Sequence, residues 1–100
     1  MNRRLIIRAE AEADITEAAM WYEGQEGGLG FEFTGEIRAA TRRAVERPLS
    51  YLRVRKRPEV RRILARRFKY RIFYIVRTDA IVVFSVLHAA RHDRHWKERA

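Results

Sequence analysis

The stretch Tyr70-Arg71-Ile72-Phe73-Tyr74-Ile75-Val76-Arg77-Thr78-Asp79-Ala80-Ile81-Val82-Val83-Phe84-Ser85-Val86-Leu87-His88 decides the fold. It sets two runs of branched and aromatic residues on either side of Thr78-Asp79, a composition that favours paired strands joined by a tight hairpin turn. The second run, Ala80 to His88, is apolar at odd and even positions alike. A strand with two apolar faces is a central strand, covered on both sides. Upstream, Val60 to Arg67 reads as a third β-prone segment. Residues 48–59 before it form a basic connection bounded by Pro48 and Pro58, with Tyr51, Leu52 and Val54 as its anchors to the core.

Nearer the start of the chain the period changes. Arg3 to Arg8 is a short apolar run framed by arginines, which fits an opening strand. From Ala9 onward Ala11, Ile15, Ala18 and Tyr22 fall at i, i+4, i+7 and i+11, one face of a helix, while Asp14, Glu17 and Glu23 take other faces. Gly24, Gly27, Gly28 and Gly30 end that helix, because glycine accepts the left-handed backbone of a turn. Phe33, Ile37, Ala40 and Ala44 repeat the same spacing for a second helix, with Glu32, Arg38, Arg42 and Glu46 opposite. Pro48 closes it by forcing its predecessor out of helical backbone. The expected architecture is a single α+β domain over residues 1–100, in the order β-α-α-β-β-β, with a helical hairpin packed on a mostly antiparallel sheet.

Composition narrows the function. One hundred residues without cysteine leave no disulfide framework and no thiolate zinc site, and no apolar run approaches the ~18 residues of a membrane span. No signal-peptide pattern opens the chain, so a cytoplasmic domain is expected. The net charge is +9, from 22 Lys and Arg against 13 Asp and Glu. It is unevenly placed: residues 1–50 carry a net −2 and residues 51–100 a net +11. Between Arg53 and Arg71 ten basic residues face Glu59 alone. Such a concentration calls for an anionic partner. Arginine pairs with phosphate and carboxylate alike, so a nucleic-acid surface and an acidic protein fit it equally. A share of these residues also serves as a charged strand edge that discourages aggregation.

Familiar catalytic signatures are missing. Gly28-Leu29-Gly30 lacks the third glycine of a dinucleotide fingerprint and follows no strand, and Ser50 and Ser85 are the only serines. His88, His92 and His95 have a helical spacing, but His88 ends a strand pattern, so no metal and no cofactor are expected. On the helical hairpin Trp21, Leu29 and Phe31 lie outside the core stripes, where they are able to receive an apolar partner helix or pack locally in the turn.

An ordered set of short motifs then carries a resemblance: Ala13-Asp14-Ile15 before Trp21-Tyr22, Gly28-Leu29-Gly30 before Phe33, Arg47-Pro48 and Tyr51. It continues with Arg61-Arg62, Phe68-Lys69-Tyr70, Ile72, Tyr74, Val86-Leu87-His88, Arg91 and Trp96. From Leu5 to Trp96 the chain resembles the ParE branch of the RelE/ParE toxin superfamily, the plasmid stabilisation family. The resemblance implies the toxin of a bacterial type II toxin–antitoxin system, held in a hetero-oligomer by a ParD-like antitoxin from the same operon. ParE-like toxins inhibit DNA gyrase, whereas RelE-like relatives cut mRNA on the translating ribosome; a third, weaker alternative is a non-toxic relative that only binds its antitoxin.

The resemblance also distributes expectations over residues. Antitoxin contacts are expected at Trp21, Leu29, Phe31, Arg62, Arg66 and Arg71, and target contacts at Arg53, Arg55, Lys56, Arg61 and Arg91. Under the ParE-like reading no catalytic residue is expected. Under the ribonuclease alternative Arg71, His88 and Arg91 form the catalytic set, because Arg71 matches a phosphate-holding arginine of RelE-like toxins. Cleavage through the RNA 2′-hydroxyl needs a base, and arginine stays protonated, so Lys56, Glu59 and His88 are the candidates for that role.

Overall fold

The computed structural model describes residues 3–90 and 94–99. The opening strand β1 (Arg4–Ile7) leads into helices α1 (Ala9–Gln25) and α2 (Leu29–Glu46). A two-residue strand β2 (Arg53–Val54), β3 (Arg57–Ala65), β4 (Tyr70–Val76) and β5 (Ala80–His88) follow, and a short helix α3 (Arg94–Lys97) comes after them. The five strands form one sheet in the order β1-β5-β4-β3-β2, antiparallel except where β1 runs parallel to β5. The apolar run Ala80 to His88 is therefore a central strand, as its two-sided pattern required.

Both helices lie on one face of the sheet. Ala11, Ala18, Phe33, Ile37, Ala40 and Ala44 bury their side chains against Ile63, Ile72, Tyr74, Ile81, Val83 and Val86, which join the two helical stripes to alternate strand positions. Tyr22, Phe33, Phe68 and Tyr70 form an aromatic cluster there, with Phe33 and Tyr70 centroids 4.9 Å apart and edge-on. The opposite face holds a smaller core of Val60, Phe73, Phe84, Leu87 and Trp96. Trp96 of α3 stacks on Phe73 at 4.9 Å and 18°.

A bulge makes the two-face pattern of β5 possible. Phe73 pairs with Ser85 but Tyr74 pairs with Val83, so Phe84 is an extra residue in the ladder. Val83 and Val86 consequently share the helix face although they are three apart, and Phe84 and Leu87 share the other.

The helical hairpin closes tightly. Gly28 has φ 90°, the left-handed backbone that favours glycine. The Glu23 carboxylate accepts the Gly28 N–H at 2.9 Å and the Gly30 N–H at 3.0 Å, so α1 supplies the cap that satisfies the first amides of α2. Gly30 permits the approach, since a Cβ there would stand 2.5 Å from the Ala19 carbonyl oxygen.

Three expectations shift. The third β-prone segment begins at Arg57 rather than Val60 and ends at Ala65, with Arg66 and Arg67 in the turn that follows. The basic connection contains β2, which a two-residue strand does not announce in sequence. Tyr51 and Val54 pack on the core, but Leu52 is 67% exposed and anchors nothing. The connection is held instead by polar bonds. Tyr74 donates its buried hydroxyl to the Pro48 carbonyl at 2.7 Å, and Arg61 donates to the carbonyls of Leu49 at 3.1 Å and Tyr51 at 2.8 Å.

Candidate functional site: a cationic groove on the face opposite the helices

Alternation along β3 and β4 sorts the basic residues by face. Ile63, Ala65, Ile72 and Tyr74 point to the helices, so Arg62 and Arg71 point to the other side with Val60 and Phe73. Arg62 and Arg71 line a groove of about 490 Å3 with Arg53, Arg55, Lys56 and Lys97, over a floor that includes Phe73 and Trp96. The Arg71 guanidinium lies 5.3 Å from the Phe73 ring centroid, a cation–π contact. Six cations around an aromatic floor form a surface for an anion with flat or apolar parts.

The expected residues regroup accordingly. Arg53, Arg55 and Lys56, assigned to a target, share the groove with Arg62 and Arg71, assigned to an antitoxin. Arg66 stands apart, beside Arg43 and Arg62 in a hollow at the sheet edge. Arg61 needs correction. It is 9% exposed and donates through Nη1 to the carbonyls of Leu49 and Tyr51, so it is a structural tie rather than an exposed cation. Neighbours in sequence, Arg61 and Arg62 sit on opposite faces of one strand. Arg91 and His92 lie outside the described residues.

Arg71 and His88 do not meet. Arg71 pairs in register with Leu87, and His88 pairs with Tyr70, so the two side chains leave opposite faces of the sheet. The His88 ring meets Tyr70 edge-on at 5.4 Å, its Nδ1 accepts the Ala90 N–H at 3.1 Å, and it lines a helix-side cavity with Asp14, Glu17, Trp21 and Arg99. Glu59 accepts a 2.8 Å hydrogen bond from Arg57, which holds its carboxyl below the usual carboxylate range and makes it a weaker base. Among the described residues no cluster of His, Asp and Glu is arranged to hold a metal ion.

On the hairpin Trp21 is 61% and Phe31 83% exposed, while Leu29 is partly buried against the core. Met20, on the same hairpin, is also exposed, an apolar side chain that the sequence pattern did not single out. Also unforeseen was the role of Asp14, whose carboxylate accepts the Val86 N–H at 2.9 Å and binds Arg99 through both oxygens. Arg99 also donates to the Ser85 hydroxyl at 3.1 Å, and its pairing with Asp14 raises its already high pKa. The available signal was an acid at position 14 beside the apolar stripe residues Ala11 and Ile15.

Residues 5–93 match the family described as the ParE toxin of the type II toxin–antitoxin system, parDE. The chain belongs to the ParE toxin family. Solved structures extend the likeness in fold. A structure described as the chromosomal ParDE toxin–antitoxin system from P. aeruginosa aligns with a TM-score of 0.77 at 16% identity, over 86% of this chain and 95% of that one. An E. coli RelE toxin mutant in complex with an antitoxin RelBc peptide aligns at 0.68 and 19% identity, over 100% of this chain and 96% of that one. The isolated E. coli RelE toxin aligns at 0.65 and 19% identity, over 96% and 94%. No match is found among curated proteins. This ParE family member, among its described residues, has no helix long and apolar enough to cross a membrane.

Proposed function

We propose that this chain is the toxin of a type II toxin–antitoxin pair, that it acts in the cytoplasm by docking on DNA gyrase, and that a ParD-like antitoxin neutralises it in a hetero-oligomer. The observation that carries this reading over a nuclease is the separation of Arg71 and His88 by the thickness of the sheet. Cleavage through a 2′-hydroxyl needs base, phosphate-holding cation and acid around one phosphate. The groove instead gathers guanidinium and ammonium groups, which hold anions and do not take protons at neutral pH. Met20, Trp21 and Phe31 are exposed apolar side chains on the hairpin, available to an antitoxin helix. The test is a supercoiling assay with purified gyrase. Loss of supercoiling with accumulation of cleaved DNA is expected, and normal supercoiling at saturating protein overturns the reading.

A second reading, a ribosome-dependent mRNA endonuclease, is favoured by the groove itself, because cations over Phe73 and Trp96 also suit a polynucleotide backbone. It predicts new mRNA 5′ ends within translated codons on induction, abolished by Arg71→Ala. Intact transcripts during growth arrest exclude it.

A further inference from the structure

Helix α1 runs against the charge of the chain. Between Ala9 and Gln25 it carries Glu10, Glu12, Asp14, Glu17 and Glu23 and no Lys or Arg, in a protein of net charge +9. Glu10, Asp14, Glu17 and Trp21 fall at i, i+4, i+7 and i+11, a stripe one position out of phase with the core stripe Ala11, Ile15, Ala18 and Tyr22. The acids therefore follow the margin of the buried face, with Glu10 and Glu17 exposed and Asp14 partly buried. The chain itself shows what this stripe holds. The Arg99 guanidinium lies on it, paired with both oxygens of Asp14 and bonded to the Ser85 hydroxyl. The Asp14 bond raises the Arg99 pKa, and the charges of Glu10 and Glu17, one turn to either side of Asp14, act in the same direction. One cation thus meets three acids. Among the described residues Glu17 has no hydrogen-bond or ion-pair partner of its own. It lines the helix-side cavity of about 560 Å3 together with Trp21, Tyr22 and Tyr70. His88 stands in the same wall with its Nδ1 taken by the Ala90 N–H, so a carboxylate and aromatic rings are left to receive an occupant.

We propose that this acidic, aromatic cavity is the docking site for an arginine or lysine side chain of a partner protein, its charge on Glu17 and its stem against Trp21 and Tyr22. A carboxylate pairs with either cation, and an indole face attracts a guanidinium or ammonium while its apolar body covers the side-chain stem. Charge selects the occupant. The groove on the opposite face gathers six cations and repels a basic segment, which the α1 stripe attracts. A protein side chain is favoured over a free amine by Trp21, which is 61% exposed: the chain that carries the cation covers this ring, and a small amine leaves it wet. A second copy of this protein is disfavoured, because self-docking brings +9 against +9. The site does not rest on the proposed function, since neither gyrase nor an antitoxin enters its argument.

The experiment titrates the isotope-labelled full-length protein with the acetylated, amidated peptide Leu-Ala-Arg-Ala-Leu, read by amide and indole NMR shifts and by calorimetry. Shifts are expected at the Glu17 amide and the Trp21 indole N–H and not at the Trp96 indole, with affinity falling as salt rises. The same peptide with citrulline in place of arginine keeps the shape but not the charge, and should bind about tenfold or more weakly. The variant Glu17→Gln, checked for an unchanged circular dichroism spectrum, should bind the arginine peptide about threefold or more weakly. Absence of binding at millimolar peptide, equal binding of the citrulline peptide, or shifts confined to the cationic groove each overturns the site. Agmatine binding as tightly as the peptide would assign the cavity to free amines and overturn the protein partner. A dimer of the protein alone that Glu17→Gln dissolves would assign it to a second copy and overturn the proposal likewise.

Discussion

The two faces of this sheet are cut from the same strands and have opposite properties. The helix face holds the larger apolar core: Phe33, Tyr22, Phe68 and Tyr70 interlock with the strand aliphatics, and the polar bonds there tie loops down. The other face has a small core around Phe73 and Trp96, and among the described residues six cations line the groove beside it. Like charges gathered on a surface oppose folding, so their retention costs stability that the helix face must offset. The difference teaches that this fold separates its larger apolar core from its cationic groove by the pleat of a strand. The unit of that separation is one residue, as Arg61 and Arg62 illustrate.

The sharpest way to break the comparison is to remove cohesion from the helix face. Phe33→Ala should cost about 3–5 kcal/mol, read as a lowered denaturation midpoint, because a fully buried ring leaves a cavity among packed neighbours. A loss below about 1 kcal/mol would mean that the helices do not carry the stability.

Next in size is Gly30→Ala. The added methyl meets the Ala19 carbonyl oxygen and must push α1 from α2, which should cost about 1–3 kcal/mol by thermal or denaturant unfolding. An unchanged or raised midpoint would show that the hairpin has slack.

The neighbouring arginines offer a direct contrast within one strand. Arg61→Ala should lose about 1–2 kcal/mol, since it leaves the Leu49 and Tyr51 carbonyls without their donor. Arg62→Ala should change stability by no more than about 0.5 kcal/mol and weaken anion binding instead. Equal stability losses for the two would dissolve the distinction between faces.

The smallest effect at neutral pH belongs to Tyr74→Phe, about 1 kcal/mol for the bond to Pro48. Its signature lies at alkaline pH. Burial pushes the Tyr74 hydroxyl up to about 12, so the folded state resists ionisation that the unfolded chain undergoes near 10. That stabilisation is complete below about pH 10 and is lost as pH rises toward 12. The variant should therefore show a shallower alkaline loss of stability than the parent, and parallel curves would remove Tyr74 from the account.

Much of the fold was legible because it rests on local periodicity. The two helical stripes, the Thr78-Asp79 turn and the two-sided β5 each repeat within a dozen residues, and burial follows the repeat. The candidate site was legible in composition and illegible in grouping. Arg53 and Arg71 are 18 positions apart, and only the β2-β3-β4 register brings them to one groove. The bulge at Phe84 is likewise silent in a run that is apolar on both faces, because the pattern does not mark which residue is extra.

The sequence by itself determined the α+β class, the central place of β5 and the concentration of positive charge after residue 50, since propensity, period and charge are properties of neighbours along the chain. Tertiary structure alone decided that Arg61 turns inward, that Arg71 and His88 part, and that Asp14 reaches Arg99. Those outcomes depend on strand register and on contacts between distant segments. A shift of one residue would exchange the faces, and no local pattern records which register wins.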